Sequence, residues 1–122
     1  EFRRVLFRSL QNLVGATRLL GLGVGSLSLL AMMGDDEIRQ HHERHQAQYT
    51  AHNLSLSRLM TGVERTRRIG YSVAAGEGVA GVGRAFEVAP GQAAISVFAP
   101  RARMLMARRH EIGALLIEEI GD

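Results

Sequence analysis

The stretch VGRAFEVAPGQAAISVFAP, residues 82–100, decides the architecture. Val82, Arg84, Phe86 and Val88 alternate with Gly83, Ala85 and Glu87, the period of two that a strand requires because successive side chains point to opposite faces. Ala89-Pro90-Gly91-Gln92 puts proline and glycine at the central positions of a type II turn. Ala93 to Ala99 then reads as the returning strand. Its Ile95 and Val97 face one way, which suits packing against helices. Ala94, Ser96 and Phe98 face the other, where a hydroxyl and a ring among small neighbours suit a pocket wall.

Working outward from this hairpin, the period changes to that of helices. Pro100 ends the second strand, and residues 102–120 form a closing helix with Leu105, Ile112, Leu116 and Ile120 near one stripe. Upstream, Ser55 is a natural N-cap, and Leu54 with Leu59 has the spacing of a hydrophobic staple. Leu56, Leu59, Met60 and Val63 continue that helix toward Arg68, before Gly70. Asp35, Asp36 and Glu37 place acids where they offset the positive end of a helix dipole, predicting a polar helix to about Gln48 with a largely solvated face. SLSLLAMM predicts a short buried helix from just after Gly25 to Gly34. Leu10 to Leu22, broken by glycine, reads as the remains of one or two strands. Helices, a hairpin and a closing helix on the sheet make an α+β layer architecture in a single domain.

The first nine residues, EFRRVLFRS, look like an arginine-rich arm. They are also what a common short-read sequencing adaptor gives when translated, so residues 1–9 are set aside as an adaptor-derived artefact and 10–122 taken as the domain. The chain is then expected to begin inside a larger gene product. The segment supplies +2 of the formal +3, leaving 12 arginines against 11 acids. That near-neutral remainder is too small for a general electrostatic footprint on DNA. All 15 basic residues are arginine, as in a GC-rich genome, and the absence of cysteine excludes disulfides and thiolate metal sites. Leu19 to Met33 is apolar but holds three glycines and falls short of the ~20 residues a bilayer span needs. No membrane role is expected.

Several motifs carry a bland and a sharp reading. GLGVGS, residues 21–26, serves as a strand-to-helix turn; as a dinucleotide fingerprint it lacks a further glycine and the distant acid. In HHERH, His41 and His45 share a helix face and could bind zinc, with His42, Glu43 or His52 as further ligands. Three or four converging ligands are needed, however, and a solvated polar helix is the better account. A metal-binding module or small metal-dependent enzyme on His41, His42 and His45 is the rival function. Arg65, Arg67 and Arg68, like the pairs Arg101/Arg103 and Arg108/Arg109, read as solvated helix ends rather than DNA sites. No serine sits in a nucleophile elbow, and enzyme activity is not expected.

The order and spacing of LGVG (Leu22 to Gly25), LLA (Leu29 to Ala31), the acidic DDEI start, RRIGYSV (Arg67 to Val73), GVG (Gly81 to Gly83) and AAISV (Ala93 to Val97), closed by an amphipathic helix, resemble the effector-binding domain of the IclR family of bacterial transcription regulators. The resemblance runs over residues 14–121. It implies a GAF-like or profilin-like antiparallel sheet with flanking helices, cytoplasmic and needing no cofactor. It also implies a homo-dimer or tetramer that reaches DNA only through a separate winged helix-turn-helix domain, missing here. The resemblance further implies a small organic acid as the effector. Gly23, Val24, Gly25 and Ser26 would offer backbone N–H groups to a carboxylate at a helix N-terminus. Ser96 matches the family's pocket serine, and Phe98 replaces a second one with an apolar wall. The acidic position after GY falls near Ala74, and the polar position after GV falls near Arg84, which could pair with a carboxylate. These departures point to a larger, partly apolar acid.

Overall fold

The computed structural model describes residues 20–75 and 78–120. Residues 1–9, and the strands expected over 10–19, lie outside them. Four helices come first: α1 (Val24–Ala31), α2 (Asp35–Arg44), α3 (Gln46–Ala51) and α4 (Leu56–Ile69). Three strands follow, β1 (Ser72–Ala75), β2 (Val79–Val88) and β3 (Gly91–Pro100), and a 3₁₀ turn at Arg101–Arg103 leads into α5 (Met106–Ile120). The sheet is an antiparallel meander in the order β1-β2-β3. Its α+β architecture is the one the sequence predicts.

Each helix ends where its residues allow. The Ser55 hydroxyl accepts the Arg58 amide at 3.2 Å, the N-cap bond expected of it. Gly70 closes α4 at φ 92°, a left-handed conformation that favours glycine. The three acids open α2 as predicted. Leu20 to Gly23 form turns and bends rather than the end of a strand.

The hairpin turns one residue earlier than the Pro-Gly signal suggests. Val88 pairs with Gly91, so the connecting residues are Ala89 and Pro90, joined by a cis peptide. The resulting register sets Gly81 opposite Phe98 and Gly83 opposite Ser96. A β-carbon on Gly81 would lie 2.8 Å from the Phe98 ring, so the missing side chain is what lets that ring cross the neighbouring strand.

Helices cover both faces of the sheet. On one face α1 approaches Gly81, Gly83, Ala94 and Ser96. Beyond it, Leu30, Ile38, Tyr49, Leu59 and Val63 form a core among α1 to α4, each with at most 1% of its surface exposed. At about 1.5–3 kcal/mol for each large apolar side chain fully buried, this cluster is the main source of stability. On the opposite face Ala80, Ala99 and Met104 form a second cluster, with Val97 and Ile112 packed against it.

Three expectations need correction. The Ser96 and Phe98 face is not left bare, because α1 packs directly on it. The stripe expected on α5 begins too early: Leu105 precedes the helix and is 65% exposed, while Arg109 and Gly113 are the residues it buries. Gly113 is buried because the Tyr71 ring takes the space its side chain would fill, with a hypothetical β-carbon only 2.4 Å from that ring. The polar helix breaks at His45, and it is not solvated all round. Ile38 and Tyr49 are fully buried, and His42 stacks on Tyr49 with centroids 4.6 Å apart while its Nε2 donates to the Leu54 carbonyl at 3.1 Å.

Arg67, expected to be a solvated helix end, joins two helices instead. Its guanidinium donates to the carbonyls of Ala31 (3.0 Å) and Met33 (2.7 Å) and to the Asp35 carboxylate (2.7 Å). The carbonyls that end α1 are satisfied by the same group that neutralises an acid opening α2.

Candidate functional site at the N-terminus of α1

The loop entering α1 is organised by one hydroxyl. Ser26 Oγ accepts the amides of Gly21 (3.0 Å) and Gly23 (3.2 Å) and donates to the Gly23 carbonyl at 3.3 Å. The first helical hydrogen bond runs from the Leu27 amide to the Gly23 carbonyl at 2.7 Å. The amides of Val24, Gly25 and Ser26 therefore lead into the helix at the positive end of its dipole.

Where the helix meets the sheet, the approach is close. A β-carbon on Gly83 would lie 2.6 Å from the Val24 carbonyl oxygen, and one on Gly25 would lie 2.5 Å from Ser96 Oγ. Ser72 Oγ donates to the Val24 carbonyl, which also accepts from Ser28 Oγ at 2.7 Å, and the two hydroxyls are 2.7 Å apart. Ser28 and Ser72 are both buried, so this bonded trio pins the first turn of α1 to β1. Neither serine stands out in the sequence. Only the helical position of Ser28, four residues after Val24, could have marked it as bonding back to that carbonyl.

Seven of the eight predicted site residues share this face. Gly23, Val24, Gly25 and Ser26 are the first turn and its cap. Ser96 and Phe98 lie on β3 below it, and Ala74 pairs with Gly81 at the exposed end of β1. Ser96 Oγ has no hydrogen-bond partner among the described residues. Arg84 is the exception. It alternates to the opposite face, where Nη1 donates to the Gly70 carbonyl at 2.5 Å beside Ile117.

The histidine run does not gather into a metal centre. No group of three His, Asp or Glu side chains that could hold a metal occurs among the described residues. His42 is spent on Tyr49 and Leu54, and His45 Nδ1 lies 3.0 Å from the His41 carbonyl of its own turn. His41 is left with Nε2 buried and without a partner among the described residues. Burial holds its pKa below the usual 6.5, and the nearby His45, Arg44 and His42 push it the same way. The unfolded chain thus binds this proton more readily than the folded one. Stability is expected to hold at pH 7–8 and to fall as pH drops through about 6.5, levelling off once the folded His41 is also protonated. Urea midpoints measured across pH 5–8 should show a shallower decline for His41→Gln, and an unchanged slope would remove His41 as its source.

No protein-family model matches the chain, and no curated protein matches it. Solved structures do. The Agobacterium tumefaciens repressor BlcR is similar over 88% of this chain and 52% of its own, with a TM-score of 0.65 and 22% identity. An IclR family transcriptional regulator from Brucella abortus is similar over 84% of this chain and 41% of its own, with a TM-score of 0.63 and 17% identity. The C-terminal domain of a Vibrio cholerae protein described as a transcriptional regulator is similar over 87% of this chain and 71% of its own, with a TM-score of 0.58 and 23% identity. The chain spans about half the length of the first two. It has the fold of the C-terminal domain of these regulators, the fold that the sequence resemblance implies.

Proposed function

We propose that the chain is the small-molecule effector-binding domain of an IclR-type transcription regulator, taking an organic acid at the N-terminus of α1. The observation that supports this reading is the Ser96 hydroxyl, which faces the first turn of α1 and has no hydrogen-bond partner among the described residues. A carboxylate there would accept from the Val24, Gly25 and Ser26 amides and from Ser96. Phe98 would supply an apolar wall and Ala74 the rim, which favours a larger, partly apolar acid over the smallest polar ones. Arg84, on the far face, is not in this set. Among the described residues no helix is long and apolar enough to cross a membrane.

The domain would work in the cytoplasm as a homo-dimer or tetramer, without a cofactor and without catalysis, and reach DNA through a domain outside this chain. Because Val24 is pinned to β1 through Ser72, an acid that pulls on the first turn of α1 would shift the helix against the sheet, a differential contact by which a ligand can bias two arrangements. Titration calorimetry with aliphatic and aromatic acids tests the reading. Partly apolar acids should bind, and Ser96→Ala should weaken them about tenfold, the ~1.4 kcal/mol expected of one charge-assisted hydrogen bond. Binding confined to the smallest, most polar acids, or indifferent to Ser96, would overturn it.

A further inference from the structure

We propose a second anion site on the opposite face of the sheet, built to take a carboxylic acid with an apolar tail. Between the end of β3 and α5 lies a cavity of about 360 Å³ lined by Ala99, Arg103, Met104, Arg108 and Ile112. That volume falls within the range of small-ligand pockets, about 300–1,000 Å³. Its floor is apolar, since Ala99 and Met104 belong to the buried cluster and Ile112 packs on them. Its two charged walls are guanidinium groups.

Nothing described neutralises those charges. The ion pairs among the described residues join Arg39 to Asp36 and Arg67 to Asp35, both on the helical side of the molecule. The next residue after Arg108 strengthens the point. Arg109 is only 9% exposed, yet its guanidinium meets neutral acceptors alone, the Met104 carbonyl at 2.8 Å and Met106 Sδ at 2.9 Å. A buried cation without an anion is costly, and an anion placed nearby recovers part of that cost. From Arg101 to Arg109 the sequence holds four arginines and no acid. Arginine thus outnumbers acid around a concave, apolar floor, Glu111 being the next acid along the chain.

The combination selects the ligand class. Arg103 and Arg108 can hold a carboxylate head, since guanidinium groups match its geometry. Ala99, Met104 and Ile112 then shed water against an alkyl or aryl tail. A nucleic-acid backbone would satisfy the arginines but leave the floor wet, so a nucleic acid is the less suited occupant. This site is independent of the α1 proposal, because the two lie on opposite faces of the sheet.

Octanoate is the probe, followed by calorimetry and by the NMR signal of the Met104 methyl group. Octanoate should bind saturably and shift that methyl, while acetate, lacking the tail, and octan-1-ol, lacking the charge, should each bind at least tenfold more weakly. Arg103 and Arg108 are exposed, so Arg103→Gln with Arg108→Gln should leave the thermal midpoint nearly unchanged and weaken octanoate at least tenfold. Arg108→Gln alone should give an intermediate loss and serves if the double variant does not fold. Ser96→Ala should leave the Met104 shift intact. The proposal is overturned if the methyl does not respond, if the arginine variants bind octanoate as tightly, if Ser96→Ala alone abolishes the response, or if a short oligonucleotide displaces octanoate at equal concentration.

Discussion

Replacing Gly83 by valine is expected to lift α1 from the sheet and to destabilise the domain by about 3 kcal/mol, the upper end of the range for overpacking. The reason lies in what the new atoms would meet. A β-carbon at Gly83 falls 2.6 Å from the carbonyl oxygen of Val24, 2.7 Å from its carbonyl carbon and 3.0 Å from the Gly25 nitrogen. These are backbone atoms in the first turn of a helix, so no rotamer change relieves the clash. The helix itself must move, and moving it stretches the bonds that Ser72 on β1 makes to the Val24 carbonyl and the Ser28 hydroxyl. Gly83→Ala should show most of the effect, since its single methyl already meets the carbonyl. Gly91 supplies the control, because a β-carbon there meets nothing within 4 Å and Gly91→Ala should stay within about 0.5 kcal/mol. Urea unfolding of the three variants decides it. Similar midpoints for Gly83→Val and Gly91→Ala would mean that α1 does not sit this close to the sheet. If α1 carries the acid-binding amides, Gly83→Ala should also weaken acid binding before it unfolds the protein.

The hairpin, the caps and the helix order were legible in the sequence because each follows from short-range chemistry. Alternation in residues 82–88, Ser55 as a cap and the acids of α2 each act within a few residues of themselves, and the structure keeps all three. What escaped the sequence depends on partners far along the chain. Ser28 and Ser72 are 44 residues apart and become a site feature only when α1 crosses β1. Arg67 reaches Asp35, 32 residues away, and so turns from a solvated end into a link. The family resemblance puts Arg84 with the pocket by its position after Gly81-Val82-Gly83, but strand alternation sends it to the face opposite Gly83, and that parity is readable in the same pattern. The turn signal was likewise outvoted: pairing along two ten-residue strands, with Phe98 over Gly81, set the register, and the reversal fell at Ala89-Pro90.

Tyr49→Ala is expected to cost about 3–5 kcal/mol, the range for removing a large aromatic side chain from a core. That expectation rests on a stripe hidden by its histidines. Ile38, His42 and Tyr49 stand four and seven residues apart, a helical spacing, yet counting histidine as polar leaves two isolated apolar residues in a solvated run. In the structure Ile38 and Tyr49 have no exposed surface, and the Tyr49 ring is sandwiched among imidazoles, stacked on His42 at 4.6 Å and edge-on to His41 at 5.9 Å. Its hydroxyl donates to the Leu20 carbonyl at 2.6 Å, tying the start of the loop that Ser26 organises to the helical core. Tyr49→Phe keeps the ring and removes that bond alone, so it should cost about 1 kcal/mol. The gap between the two variants therefore measures ring packing, and the smaller loss measures the tether. Denaturant unfolding of both variants separates them. A loss under 1 kcal/mol for Tyr49→Ala would show that α2 and α3 are a solvated appendage, while a Tyr49→Phe loss as large as that for Tyr49→Ala would place the stabilisation in the tether to Leu20 rather than in the core.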